Sequence, residues 1–186
     1  GANVNDQDAW GVSATVLASH SGFADFLDFL LEKGADASAM DAGFSALHTA
    51  IMRRDDRMTQ ALLDHGADPN APLAAWTPKR RTSRDWNFPP SLIGATPFWL
   101  AARIAEAEIM HQLAASGAEA SVVHDVRYRV NSVRRQEPRH DRTTALMAAV
   151  GMGPSVQAWI GPQRMEPENA MVAAVTVALE QGADPN

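Results

Sequence analysis

GADASAMDAGFSALHTAIMRRDDRMTQALLDHGADPN, residues 34–70, opens and closes on one string. Gly34-Ala35-Asp36 returns as Gly66-Ala67-Asp68, 32 residues later. Inside the stretch, Ser45 stands ahead of a run of small and apolar residues, where its hydroxyl can accept the first free amides of a helix. Leu62 and Leu63 close the apolar face of a second helix, and Gly66 follows where a left-handed cap favours a residue without a Cβ. The stretch therefore reads as helix, turn, helix, loop. One such unit cannot bury its apolar stripe alone, but a stack of them can.

The same string recurs along the whole chain: GANVN at 1–5, GADAS at 34–38, GADPN at 66–70, GAEAS at 117–121 and GADPN at 182–186. A second landmark lies between copies: GVSATVLAS (11–19), GFSALHTAI (43–51), GATPFWLAA (94–102) and RTTALMAAV (142–150). Gly22, Arg54 and Ala105 each lie 12 residues before the next Gly-Ala string. Ser13, Ser45, Thr96 and Thr144 are the expected N-caps, and Pro97 fits the first helical position, where a missing N–H costs nothing. These signals predict helices over 13–21, 24–33, 45–53, 57–65, 96–104, 107–116, 144–151 and 168–181.

Thr96-Pro97 with Ala101-Ala102, Leu47-His48 with Ala50, and the Gly-Ala-Asp-x-Asn string make the chain resemble the ankyrin repeat family. The resemblance implies an all-α solenoid of four stacked helix-turn-helix units with two long finger loops and one long insertion within a repeat. It places the tail of a preceding repeat at 1–7 and repeats at about 8–39, 40–71, 91–122 and 141–186, with insertions at about 72–90, 123–141 and 154–170. A single array, continuing into a longer protein, is the expectation, because apolar side chains around Val172, Val175 and Leu179 would otherwise stand exposed at an end. Self-association through such ends is the companion expectation. The resemblance also implies protein recognition by the concave face and fingers, and a hydrogen-bonding role for His48 between neighbouring loops. The sequence around Ser91–Ala102 is further similar to bacterial ankyrin proteins with enlarged fingers, many of them exported, which favours an extracytoplasmic location. A docking or structural domain of a larger exported bacterial enzyme or electron-transfer polypeptide is the alternative.

Composition narrows the functions. The chain has 186 residues, 46% of them apolar, and no cysteine, which excludes disulfides, thiolate nucleophiles and Cys-based metal centres. No apolar run approaches the length of a membrane span. No nucleophile elbow, phosphate loop or Ser-His-Asp order stands out, and Gly151-Met152-Gly153-Pro154 reads as a turn, so neither an enzyme nor a cofactor is expected.

The charge is unevenly placed. Overall it is −6, yet segments 71–93 and 123–142 each carry +3, which leaves −12 on the remainder. That acidic body argues against nucleic acid as a ligand. The two basic segments hold Arg80, Arg81, Arg84, Arg127, Arg129, Arg134 and Arg135 together with Trp76, Trp86, Phe88 and Tyr128. Arginine with rigid aromatics is the composition of interface hot spots. The candidate partner-binding residues are therefore Trp76, Arg80, Arg81, Arg84, Trp86, Arg127, Tyr128, Arg129, Arg134 and Arg135, facing another protein with an acidic surface. The competing expectation is that both loops fold back on the array, with their arginines paired to its acidic body. Val126, Tyr128 and Val130 alternate with Arg127 and Arg129, which suggests a strand with one apolar and one basic face. If this finger is a hairpin, His124-Asp125 and His140-Asp141 meet at its base, where they could hold a divalent metal or simply be solvated polar residues; no metal is expected.

Overall fold

A computed structural model of the chain describes residues 2–77, 87–131, 136–154 and 168–184. Among the described residues, eight α-helices come in pairs: α1 (Ala14–Ser21) and α2 (Ala24–Glu32), α3 (Ala46–Met52) and α4 (Asp56–Asp64), α5 (Pro97–Arg103) and α6 (Ala107–Ala115), α7 (Ala145–Ala149) and α8 (Glu168–Glu180). The first helices pack in series, α1 on α3, α3 on α5 and α5 on α7, and the second helices form a parallel layer in the same order. The expected caps are in place. Ser13, Ser45, Thr96 and Thr144 accept from the amides of Val16, His48, Trp99 and Met147. The first-helix layer can be tight because alanine lines it: Ala50, Ala101, Ala102 and Ala148 are fully buried beside Leu47, Ile51 and Leu100.

The all-α expectation needs correction in one place. The second finger is an antiparallel ribbon of β1 (His124–Asn131) and β2 (Gln136–Thr143). Its apolar–basic alternation has period two, the signature of a strand, and the chain follows it.

The recurring string is also a cross-repeat clamp. Asn5 Oδ1 accepts from the Asp36 amide at 2.8 Å, and its Nδ2 donates to the Gly34 carbonyl at 3.4 Å. Ser38 Oγ donates to the Gly66 carbonyl at 2.9 Å and accepts from the Asp68 amide. Asn70 repeats this with Gly117 (2.9 Å) and Glu119 (2.7 Å). The residue four after Gly1, Gly34 and Gly66 thus ties its loop to the next loop. The shared position of Gly22, Arg54 and Ala105 is explained as well: all three have left-handed backbone, φ 75°, 57° and 54°.

Exposure along the stack follows repeat position. Leu17 is 54% exposed and Phe26 50%, whereas the equivalent Thr49, Leu100 and Ala148, and Met58 and Ile109, are at most 1% exposed. At the other end of the described array, Val172 is 58% and Leu179 44% exposed, with Val175 half-buried. The apolar surface expected around these three is present.

His48 is wholly buried at the middle of the stack. Its Nδ1 accepts from the Ser45 amide at 3.2 Å, while the Ser45 hydroxyl accepts from the His48 amide, a reciprocal cap. Burial holds the imidazole neutral, with a pKa of about 4, against a smaller upward pull from the backbone of Ala71 and Ala95 in the neighbouring loops.

Candidate interaction surface on the second finger

The ribbon is rooted in the core by its first residue. His124 is 1% exposed, its ring lies 4.3 Å from the ring of buried Trp99, and its Nε2 donates to the Ile93 carbonyl at 3.1 Å. Burial lowers its pKa. The neighbouring Pro90–Leu92 segment forms a short 3-10 turn that packs on β1.

Pairing fixes the two faces. His124 stands opposite Thr143, Val126 opposite Asp141 and Tyr128 opposite Arg139, while Asp125, Arg127 and Arg129 stand opposite Arg142, His140 and Pro138. Directly opposite residues share a face. His124, Val126, Tyr128 and Val130 therefore lie on one side and are buried or half-buried, whereas Asp125, Arg127 and Arg129 on the other are exposed. The two His-Asp pairs are divided by the same rule. His124 and Asp141 belong to the inner face and Asp125 and His140 to the outer, so the four do not converge on a metal. Among the described residues, no group of three or more histidines and carboxylates is placed to hold one.

Each face has its own polar wiring. On the inner face the Tyr128 hydroxyl donates to Asp141 Oδ2 at 2.7 Å; burial first, and that carboxylate second, push its pKa up to about 12. On the outer face Asp125 takes His140 Nε2 at 2.8 Å and Arg142 Nε at 3.0 Å, and the hydrogen bond from His140 is the main reason its carboxyl lies below the usual range. Arg127 has no hydrogen bond or ion pair among the described residues, and Arg129 reaches only Gln136 Oε1, at 3.5 Å. A shallow hollow of about 300 Å³ is lined by residues of both faces, Arg127, Tyr128, Arg129, Pro138, Arg139 and His140.

Of the ten candidate residues, Arg127, Tyr128 and Arg129 lie together on β1, with the arginines outward and the tyrosine half inward. Trp76, on the first finger, is 46% exposed. Arg80, Arg81, Arg84, Trp86, Arg134 and Arg135 lie outside the described residues. The fold-back expectation finds no support at Arg127 and Arg129, which form no ion pair with any described residue. It holds for the base of the first finger. There Phe88 is 1% exposed, 5.3 Å from the Phe44 ring and edge-on to His48, and Leu73 exchanges main-chain hydrogen bonds with Gly94 and Ala95. Phe88 is core, not interface. Sequence reasoning also missed the Asn5, Ser38 and Asn70 clamps, although their regular spacing was the available signal.

Comparison with known proteins agrees with this architecture. Residues 1–72 match the family model for ankyrin repeats in three copies. Over 70 residues the chain is 37% identical to ankyrin repeat protein L92 of Acanthamoeba polyphaga mimivirus, a stretch covering 37% of this chain and 17% of that protein. That relative is viral, so it lends the bacterial likeness no support. Ankyrin repeats are in general protein–protein interaction modules and in general not catalytic. No helix among the described residues is long and apolar enough to cross a membrane. The stacked helix pairs, the capped first helices and the family match over residues 1–72 together support an ankyrin repeat protein.

Proposed function

We propose that this chain binds a protein partner with an acidic surface, through the concave side formed by the first helices and the basic, aromatic fingers. The observation that carries this reading is the pair of exposed arginines on β1. A surface arginine of a folded body with net negative charge ordinarily finds a carboxylate. Among the described residues Arg127 forms no hydrogen bond or ion pair with one, feeling Asp125 only through space, and Arg129 reaches only an amide oxygen. Both stand on a two-stranded ribbon rooted by His124 against Trp99, so the charges are presented on a rigid support. The acidic remainder of the chain would repel the same partner elsewhere and steer it to the fingers. Arg80, Arg81, Arg84, Arg134 and Arg135 would add to the field, and Trp76 and Trp86 would supply apolar contact.

The test is affinity capture from the source cells with the wild-type chain and with an Arg127→Gln/Arg129→Gln variant as baits. A protein retained by the wild type, lost from the variant and released by moderate salt supports the reading. A partner retained equally by both baits, or none at all, refutes it. Exposed Leu17 and Phe26 favour a second contact, with further repeats or a second copy packing on α1 and α2. A concentration-independent monomer by sedimentation, unchanged by Phe26→Ser, would remove the second-copy form of that contact.

A further inference from the structure

Among the described residues, no strand pairs with the outer edge of β1. The sheet has two strands among the described residues, and no main-chain hydrogen bond joins residues 124–130 to any of them outside the ribbon. β1 is built from Val126, Tyr128 and Val130, residue types suited to a pleated, half-buried surface. β2 is different, because Pro138 blunts it. Pro138 stands opposite Arg129. A proline has no N–H for the ladder and takes the place where the amide faces outward. Outward and inward places alternate along an antiparallel pair, which turns the main chain of Asp125, Arg127 and Arg129 away from β2, towards the outer edge. Two of these residues are the arginines that form no ion pair among the described residues, about 6.6 Å apart along one face.

We propose that β1 takes up an extended acidic segment of the partner as a third strand. This rests on the interaction reading above and makes it specific. Aspartate or glutamate at alternate positions would lie beside Arg127 and Arg129 and pair with their main chain. Apolar residues between them would continue the inner face of Val126, Tyr128 and Val130. The main chain supplies the attachment and the alternating side chains supply the selectivity, as in strand addition generally. The match is one of pitch: an extended acidic chain repeats its charges every second residue, as β1 does. A helical or clustered run of carboxylates has the charge without the spacing.

Three synthetic probes separate these possibilities: a short peptide alternating Glu and Val, the same residues in two blocks, and the alternating peptide N-methylated at its Glu amides. Binding is read by fluorescence anisotropy, and amide exchange at Arg127 and Arg129 by nuclear magnetic resonance. The alternating peptide is expected to bind at least about tenfold tighter than the other two and to slow exchange at both arginine amides. Arg127→Gln/Arg129→Gln, with an unchanged melting temperature, should weaken it by about tenfold or more. Equal binding of the alternating and N-methylated peptides, both weakened by the double variant, would overturn strand addition and leave the basic-surface reading standing. Binding that the double variant does not change would overturn both. No binding of any peptide to the wild type would overturn the strand proposal, while the capture experiment decides the broader reading separately.

Discussion

Lowering the pH from 8 to 5 should cost this protein about 2 kcal/mol of stability through His48 alone. The ring is wholly buried, and burial sets its pKa at about 4, against 6.5 for the free side chain. The unfolded chain therefore takes up a proton at His48 as the pH falls through 6.5, while the folded chain stays neutral until about pH 4. Since the folded-state value is the lower one, the contribution is complete above pH 6.5 and is lost as the pH falls from there through about 4. Carried to its limit the loss is about 3 kcal/mol, a large part of the 5–15 kcal/mol by which domains of this kind are stable. The assay is urea denaturation at pH 8, 6 and 5 for the wild type and for His48→Gln. Glutamine suits the reciprocal cap that His48 makes with Ser45, but it does not titrate. His20 and His124 are also depressed by burial, but they are common to both proteins and cancel in the comparison. The wild type should lose about 2 kcal/mol more than the variant between pH 8 and 5. Equal losses, or a titration of the His48 ring near pH 6.5 in the folded protein, would refute the reasoning.

Other substitutions probe the stack. Gly43 has φ 83°, and a Cβ there would fall 2.8 Å from the Ala75 nitrogen, so Gly43→Ala should cost about 3 kcal/mol in chemical denaturation through backbone strain and overpacking. Asn70→Ala removes both clamp hydrogen bonds to the next loop and should cost about 1–2 kcal/mol in the same assay. Phe26→Ala and Met58→Ala change one repeat position in two neighbouring units. The first should stay within about 0.5 kcal/mol of wild type because its site is half exposed, and the second should lose about 2–5 kcal/mol because its site is fully covered.

The repeat was legible because each unit states its own boundaries. A serine or threonine opens the first helix, a glycine closes the second, and each does so for reasons local to a few residues. The strand in the second finger was legible for the same reason: Val126, Tyr128 and Val130 against Arg127 and Arg129 is a period that only a strand uses. What escaped the sequence depends on neighbours distant along the chain. Phe88 sits in a loop with no periodicity and is core only because that loop returns to Phe44 and His48. The two His-Asp pairs looked like one cluster because adjacent letters say nothing about which face each residue takes. Pairing of β1 with β2 sends one member of each pair to either side. Tyr128 belonged to the candidate surface by composition, yet its hydroxyl is spent on Asp141. The clamp string was visible as a repeat, but its partners lie about 30 to 50 residues away.

Recognition of an acidic partner by the basic ribbon would leave a mark on the main chain of β1. Amide hydrogen exchange on the chain with and without its captured partner tests it most directly. New protection is expected along β1, foremost at Arg127 and Arg129, with weaker protection on the first helices α3, α5 and α7. Protection confined to the outer layer of α2, α4 and α6, with β1 exchanging at its free rate, would contradict it.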